Sequence, residues 1–231
     1  MSSALLDAVS LIGTLDHEVI GIVTLSLLVS MSAVLIGCLI GLPLGALVAV
    51  SAFPGRHLVV ILLNAFMGLP AVVVGLLVYL LLSRSGPLGM FGLLFTPTAM
   101  TVAQTVLVTP LIAALARQII EDAGRDMGEQ LRSMRLSRWQ RARTLIFDSR
   151  FSLSVAVLAA FGRAVSEVGA VLVVGGNIAG HTRTVTTAIS LETQKGDLPL
   201  AMALGLVLIL VVIAVNAAAA GVRGYAMRRY G

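Results

Sequence analysis

IGIVTLSLLVSMSAVLIGCLIGLPLGALVAV, residues 20–50, runs for 31 positions without a single charged side chain. A bilayer's hydrocarbon core takes about 20 helical residues to cross, so this stretch predicts a transmembrane helix longer than one crossing needs. Pro43 and its neighbouring glycines are expected to kink it, unless part of it projects beyond the lipid. Outward from it, four further apolar stretches occupy residues 58–82, 98–118, 151–174 and 198–222. The expectation is an all-α polytopic membrane protein with about five transmembrane helices, forming a single transmembrane domain over residues 1–231. No sixth crossing is visible.

Composition agrees. Of the 231 residues, 58% are hydrophobic and only 12% charged, with a mean hydropathy of +1.02. Soluble domains are about half apolar and a quarter charged, so this chain has too little polar surface to coat a globule. Cys38 is the sole cysteine, which excludes an internal disulfide framework and speaks against a cysteine-based metal site. Residues 1–19 carry Asp7, Asp16 and Glu18 but no Lys or Arg, so a cleavable signal with a basic start is not expected.

The 16 basic residues set an orientation. Eight arginines, from Arg117 to Arg150, surround the connection between the third and fourth apolar stretches; Arg56, Arg223, Arg228 and Arg229 fall on the same side. Only Arg84, Arg183 and Lys195 fall opposite, and Arg163 lies within the fourth stretch. The positive-inside rule then places the N-terminus outside and the C-terminus in the cytoplasm. This asymmetry also accounts for the pI near 10.3. No recognised module or basic surface interleaved with aromatics accompanies it, so nucleic acid is not an expected partner.

Residues 118–150 form the longest polar connection. Met127, Leu131 and Met134 make an apolar stripe at helical spacing, with pairing expected between Glu121 and Arg125 and between Glu129 and Arg132. Ser137 followed by Gln140 reads as a capping box opening a second helix, after a tight turn near Arg135 and Leu136. From pattern alone, a basic amphipathic helix lying on anionic lipid remains an alternative to a docking element.

Catalytic chemistry finds no footing. Lys195 is the only lysine and no Gly-x-x-x-x-Gly-Lys-Ser/Thr loop surrounds it, so ATP hydrolysis must come from elsewhere. His17, His57 and His181 are scattered, and neither H-E-x-x-H nor G-x-S-x-G occurs. Arg163 and Glu167, four residues apart inside a span, read either as a structural ion pair or as part of gating or anion passage. Gly37, Gly41 and Gly45 make a small-residue row suited to close helix packing, within the chain or across a dimer. Gly175, Gly176 and Asn177, with Thr182, Thr184, Thr186 and Thr187, suggest a polar turn and a short re-entrant helix whose hydroxyls serve the backbone or a hydrated anion.

The run EQLRSMRLSRWQ, residues 129–140, resembles the EAA loop of permease subunits in ATP-binding-cassette importers. Glu129 matches the glutamate, Gln130 and Leu131 replace the two alanines, Arg135 stands at the glycine position and Asp148 at that of the later proline. A left-handed backbone at Arg135 would cost about 1–2 kcal/mol. Four longer stretches are similar to tungstate-type importer permeases: NAFMGLPAVVVGLLVYLLLSRSGPLG (64–89), LLFTPTAM (93–100), FGRAVSEVGAVLVVGGNI (161–178) and TRTVTTAISLETQKGD (182–197). Molybdate and sulfate permeases share a looser version.

The resemblance implies a type I ABC importer permease fold in a prokaryotic inner membrane, importing tungstate as a homodimer. Its partners would be two copies of a cytoplasmic ATPase subunit and an extracytoplasmic oxyanion-binding protein, besides membrane lipid. ATP and Mg would be bound by the ATPase subunit, with no cofactor on this chain. By the same resemblance, residues 118–150 are the coupling loop, with Glu129, Gln130, Leu131, Met134, Arg135, Leu136, Ser137 and Trp139 at the ATPase contact. Arg163, Glu167, Gly175, Gly176, Asn177, Thr184, Thr186 and Thr187 are the expected path or external gate. Molybdate, sulfate or another anion is the alternative cargo. A stand-alone channel or secondary transporter is less favoured, because no internal repeat appears and only one charged pair lies in a span.

Overall fold

The computed structural model describes residues 17–127 and 133–230. Helix α1 (His17–Val50) is 34 residues long, about 51 Å at 1.5 Å per residue. It therefore outruns a hydrocarbon core of about 30 Å. Then come α2 (Arg56–Met67), α3 (Ala71–Leu82), a single 3₁₀ turn (Gly89–Phe91) and α4 (Pro97–Asp126). After them follow α5 (Arg138–Asp148), α6 (Arg150–Val165), the short α7 (Gly169–Gly175), α8 (Val185–Lys195) and α9 (Leu198–Tyr230).

Three of these helices, α1, α4 and α9, are long and apolar enough to cross a membrane. The pairs α2–α3, bent by 99°, and α5–α6, bent by 79°, form either broken crossings or re-entrant loops, and the total reaches five if each pair is one crossing. The second and fourth crossings thus differ from the continuous spans expected over residues 58–82 and 151–174. Pro70 breaks the second: it caps α3 in an extended conformation, directly after Gly68 closes α2. The fourth stops at Val165, and residues 166–168 separate it from α7.

The third crossing is longer than expected. Thr96 Oγ1 accepts the Ala99 amide at 3.4 Å, Pro97 opens the first turn, and the helix continues past Gln118 to Asp126. It persists there because Ile120, fully buried, packs with Ala46, Ala142 and Leu145. The start of the arginine-rich connection is therefore the end of α4, capped by Met127. The stripe's Leu131 and the Glu129–Arg132 pair lie outside the described residues.

Helix α4 is the axis of the fold, with 56% of its most apolar window buried against 33% for α1 and 17% for α9. Its contact with α1 depends on the glycine row. A Cβ on Gly45 would lie 2.3 Å from the Ala113 carbonyl oxygen, and one on Gly41 would sit 3.0 Å from that of Thr109. The row packs within the chain, as small residues do between membrane helices. Core clusters stack along α4, from Met100 and Val174 through Ile112 and Phe161 to Ile120 and Leu145. Outside, Leu35 and Leu39 of α1, Leu76 and Leu80 of α3 and Ile213 of α9 are exposed. That apolar surface suits lipid or a partner membrane helix.

Candidate functional site

The chemistry-bearing residues gather at two places along α4. Gln104 and Glu121, the α4 residues at the two places, are about 26 Å apart by helical rise.

The first place is the break after α6. Arg163 lies in the last turn of that helix and Glu167 just beyond it, with Arg163 Nη2 3.7 Å from Glu167 Oε2. The two side chains are unlike: Glu167 is 6% exposed, whereas Arg163 is 45% exposed. Glu167 Oε1 also accepts the Ala170 amide at 3.3 Å, in the first turn of α7. Two main-chain carbonyls at the break are bonded from other elements, Ala164 O in addition to the Glu167 amide that donates to it at 3.2 Å. Gln104 Nε2, on α4, donates to Ala164 O at 2.9 Å, and Thr186 Oγ1, on α8, donates to Glu167 O at 2.9 Å. An open carbonyl in an apolar interior is costly, so these bonds make the break a built feature.

Around it sits the expected Gly-Asn-Thr group, which the structure does bring together. Thr184 and Thr187 form a reciprocal capping box opening α8, and Thr184 Oγ1 lies 3.3 Å from Thr186 Oγ1. Asn177 Nδ2 reaches Thr187 O at 3.5 Å. Thr182 Oγ1 donates to Gly175 O at 2.5 Å and accepts the Ile178 amide at 3.0 Å. All four threonines are buried. In this conformation their hydroxyls serve the backbone and one another. Gly175 lets the chain pass Met100, since a Cβ would lie 2.9 Å from Met100 Cγ. Gly176 has φ 71°, and its Cβ would meet the Phe95 ring at 2.9 Å. Both glycines are explained by packing and backbone geometry.

The second place is the arginine-rich end. Arg125 does not pair with Glu121 as expected; it reaches Asp122 at 3.4 Å on the exposed face. Glu121 instead holds Arg56 and Arg117, the latter at 2.7 Å. Arg56 Nε also donates to Val48 O at 3.0 Å, so one carboxylate ties the end of α1 to the start of α2 and to α4. Glu121 has an arginine four residues away on either side; it pairs with the preceding one, Arg117, and Arg56 adds the tertiary partner.

The predicted turn and cap are present. Arg135 adopts φ 48°, in the left-handed region. Ser137 Oγ accepts the Gln140 amide at 3.3 Å, while Gln140 Oε1 accepts the Ser137 amide at 2.9 Å. Leu136 packs against the Ala46–Ile120–Leu145 cluster, which anchors the turn. Met134, Trp139 and Phe147 remain exposed. Arg150 stacks its guanidinium over Phe147 and Phe151, at 4.5 and 4.6 Å from the ring centres. Glu129, Gln130 and Leu131 lie outside the described residues.

Sequence reasoning missed Gln104, Ser26 and Phe147. Gln104 is a nearly buried amide inside an apolar stretch, and an intramembrane polar residue is itself a signal. Ser26 accepts the Val185 amide at 2.8 Å, joining α1 to α8; a lone serine among apolar residues carries no comparable signal.

Comparison with known proteins adds the following. Residues 41–231 match the family model described as "Binding-protein-dependent transport system inner membrane component". A probable anion ABC transporter permease protein of Haloferax volcanii is 40% identical over 217 residues, covering 92% of this chain and 94% of that one. The tungstate uptake system permease protein TupB of Peptoclostridium acidaminophilum is 40% identical over 194 residues, covering 84% and 85%. The sulfate transport system permease protein CysW of Escherichia coli K12 is 27% identical over 186 residues, covering 78% and 64%.

Proposed function

The chain belongs to the family of inner membrane components of binding-protein-dependent transport systems, and we propose that it is the tungstate permease of an ATP-binding-cassette importer. It is a multi-pass inner membrane protein. The observation that carries the cargo is the 40% identity to a tungstate uptake permease over 84% of the chain, against 27% to a sulfate permease. In this reading the N-terminus is outside, the arginine-rich end is cytoplasmic, and two copies of the chain enclose the path. One extracytoplasmic binding protein delivers the oxyanion, and two ATPase subunits, which bind ATP and Mg, grip the cytoplasmic ends.

The geometry supports a mechanical division of labour. Met134, Trp139 and Phe147 offer exposed apolar side chains beside a capped helix, the form a docking element takes when large side chains anchor a contact. Glu129, Gln130 and Leu131 complete that contact by resemblance. Displacement there passes into α4 through the Ile120–Ala142–Leu145 packing. The continuous helix α4 then carries it the sixteen positions from Ile120 to Gln104 and the break that presents Arg163. Arg163, attracted to an oxyanion yet only partly sequestered, favours passage over capture. Glu167, Gly175, Gly176, Asn177, Thr184, Thr186 and Thr187 hold that gate in shape.

The test is uptake of tungstate, molybdate and sulfate by cells carrying the permease, its ATPase and its binding protein. Tungstate accumulation that molybdate and sulfate fail to displace at equal concentration is the expected result. Preferential accumulation of either competitor would overturn the cargo assignment, and accumulation without the ATPase would overturn the importer reading.

A further inference from the structure

A cleft of about 310 Å³ opens at the arginine-rich end, lined by Ala49, Arg56, Gly124, Arg125, Arg141 and Leu145 among others. That volume lies at the lower limit of small-ligand pockets, roughly 300–1,000 Å³. Among the described residues of its lining the charges do not balance: Glu121, the one carboxylate among them, is already held by Arg56 and Arg117. Arg125 is engaged by Asp122 at 3.4 Å on an exposed face, a contact weak enough to exchange.

Arg141 is different. Its neighbours on α5, Arg138 and Arg143, are exposed to solvent, as arginines gathered by topology alone should be. Arg141 is half-buried, and its Nε is out of contact with solvent and without a hydrogen-bond partner among the described residues. A buried donor left without an acceptor is unfavourable. A guanidinium also presents its donors as a fork that fits a multi-oxygen anion.

We propose that this cleft binds a phosphate-class anion, held by Arg141 of α5 and Arg125 of α4. The ion would be either free in the aqueous phase or the phosphomonoester end of an anionic lipid. It bridges two helices that otherwise meet there through apolar contacts, and so stiffens the joint between them. Because its readout is binding, the proposal stands or falls independently of the transported cargo.

The experiment is a titration of the purified full-length chain, at constant ionic strength in neutral detergent. The probes are inorganic phosphate, dioctanoyl phosphatidic acid and, as the acyl-chain control, dioctanoyl phosphatidylcholine. Saturable binding of phosphate with a dissociation constant below about 1 mM identifies the free ion. Binding of phosphatidic acid alone identifies the lipid. In either case Arg141→Gln should weaken binding by about tenfold or more, and Arg84→Gln, at the other end, should not change it. Gly124→Glu is the second variant, since its Cβ meets Leu145 Cδ1 at an ordinary 3.6 Å. It places a carboxylate in the cleft and should abolish binding, and it decides the matter if Arg141→Gln fails to accumulate. The proposal is overturned if neither phosphate probe saturates below that concentration, or if phosphatidylcholine binds as well as phosphatidic acid. Unchanged binding by the variants would overturn it too.

Discussion

Arg135 occupies a left-handed backbone position that glycine fills without a Cβ penalty. Arg135→Gly should therefore stabilise the protein by about 1 kcal/mol, after the added unfolded-state freedom of glycine is set against the relief of strain. A thermal melt in detergent checks this, and a lower melting temperature would show that docking geometry, and not local sterics, sets the turn. Arg163 makes a second residue-level case. Its guanidinium is 45% exposed, so the pair with Glu167 contributes little to stability. Arg163→Gln is expected to accumulate normally while tungstate uptake falls at least severalfold; full uptake at a normal protein level would leave the residue no transport role. The sequence marked both positions because each breaks a rule, one an arginine where a turn wants glycine, the other a charge in an apolar stretch. It could not show that Glu167 lies buried and Arg163 open, because that difference comes from α7 and α8 folding over the break.

Among the elements, the α1–α4 contact is the most sensitive. A Cβ at Gly45 would meet backbone atoms, which cannot rotate away, so Gly45→Leu should destabilise by about 1–3 kcal/mol through overpacking. Reduced membrane accumulation measures the effect, and Gly162→Ala, with open space around its Cβ, is the tolerated control. At the other joint, Ser137→Ala removes half of a reciprocal cap and should cost about 1 kcal/mol of helix stability. ATP hydrolysis stimulated by the binding protein should drop, while basal hydrolysis by the ATPase stays unchanged. Unaltered stimulation would separate the cap from coupling. This cap was legible because a Ser-x-x-Gln pattern is local. The 99° bend between α2 and α3 was not, although Gly68 and Pro70 stand at it. A glycine and a proline in an apolar run permit a kink, a boundary or a reversal, and only packing of α3 against α7 selects among them.

For the molecule as a whole, hydropathy marked five candidate crossings, of which three are continuous helices and two are bent pairs it could not tell from them. Charge asymmetry predicted sides without depth, and α4 reads in the sequence like any other apolar stretch despite being the axis. A cysteine pair fixing residue 186 to residue 104 should halt uptake if the break must move against α4, and continued uptake under oxidising conditions would show that it does not. The broken crossings also bear on how the protein is made. Twelve residues of α2 reach about 18 Å, short of the bilayer's core, and α3 has the same length. Neither can leave the insertion machinery as an independent membrane anchor. The nascent chain must hold both halves at the channel until α4 emerges to receive them, so slowed synthesis or a premature stop between Met67 and Pro97 exposes an orphaned half-span to quality-control proteolysis.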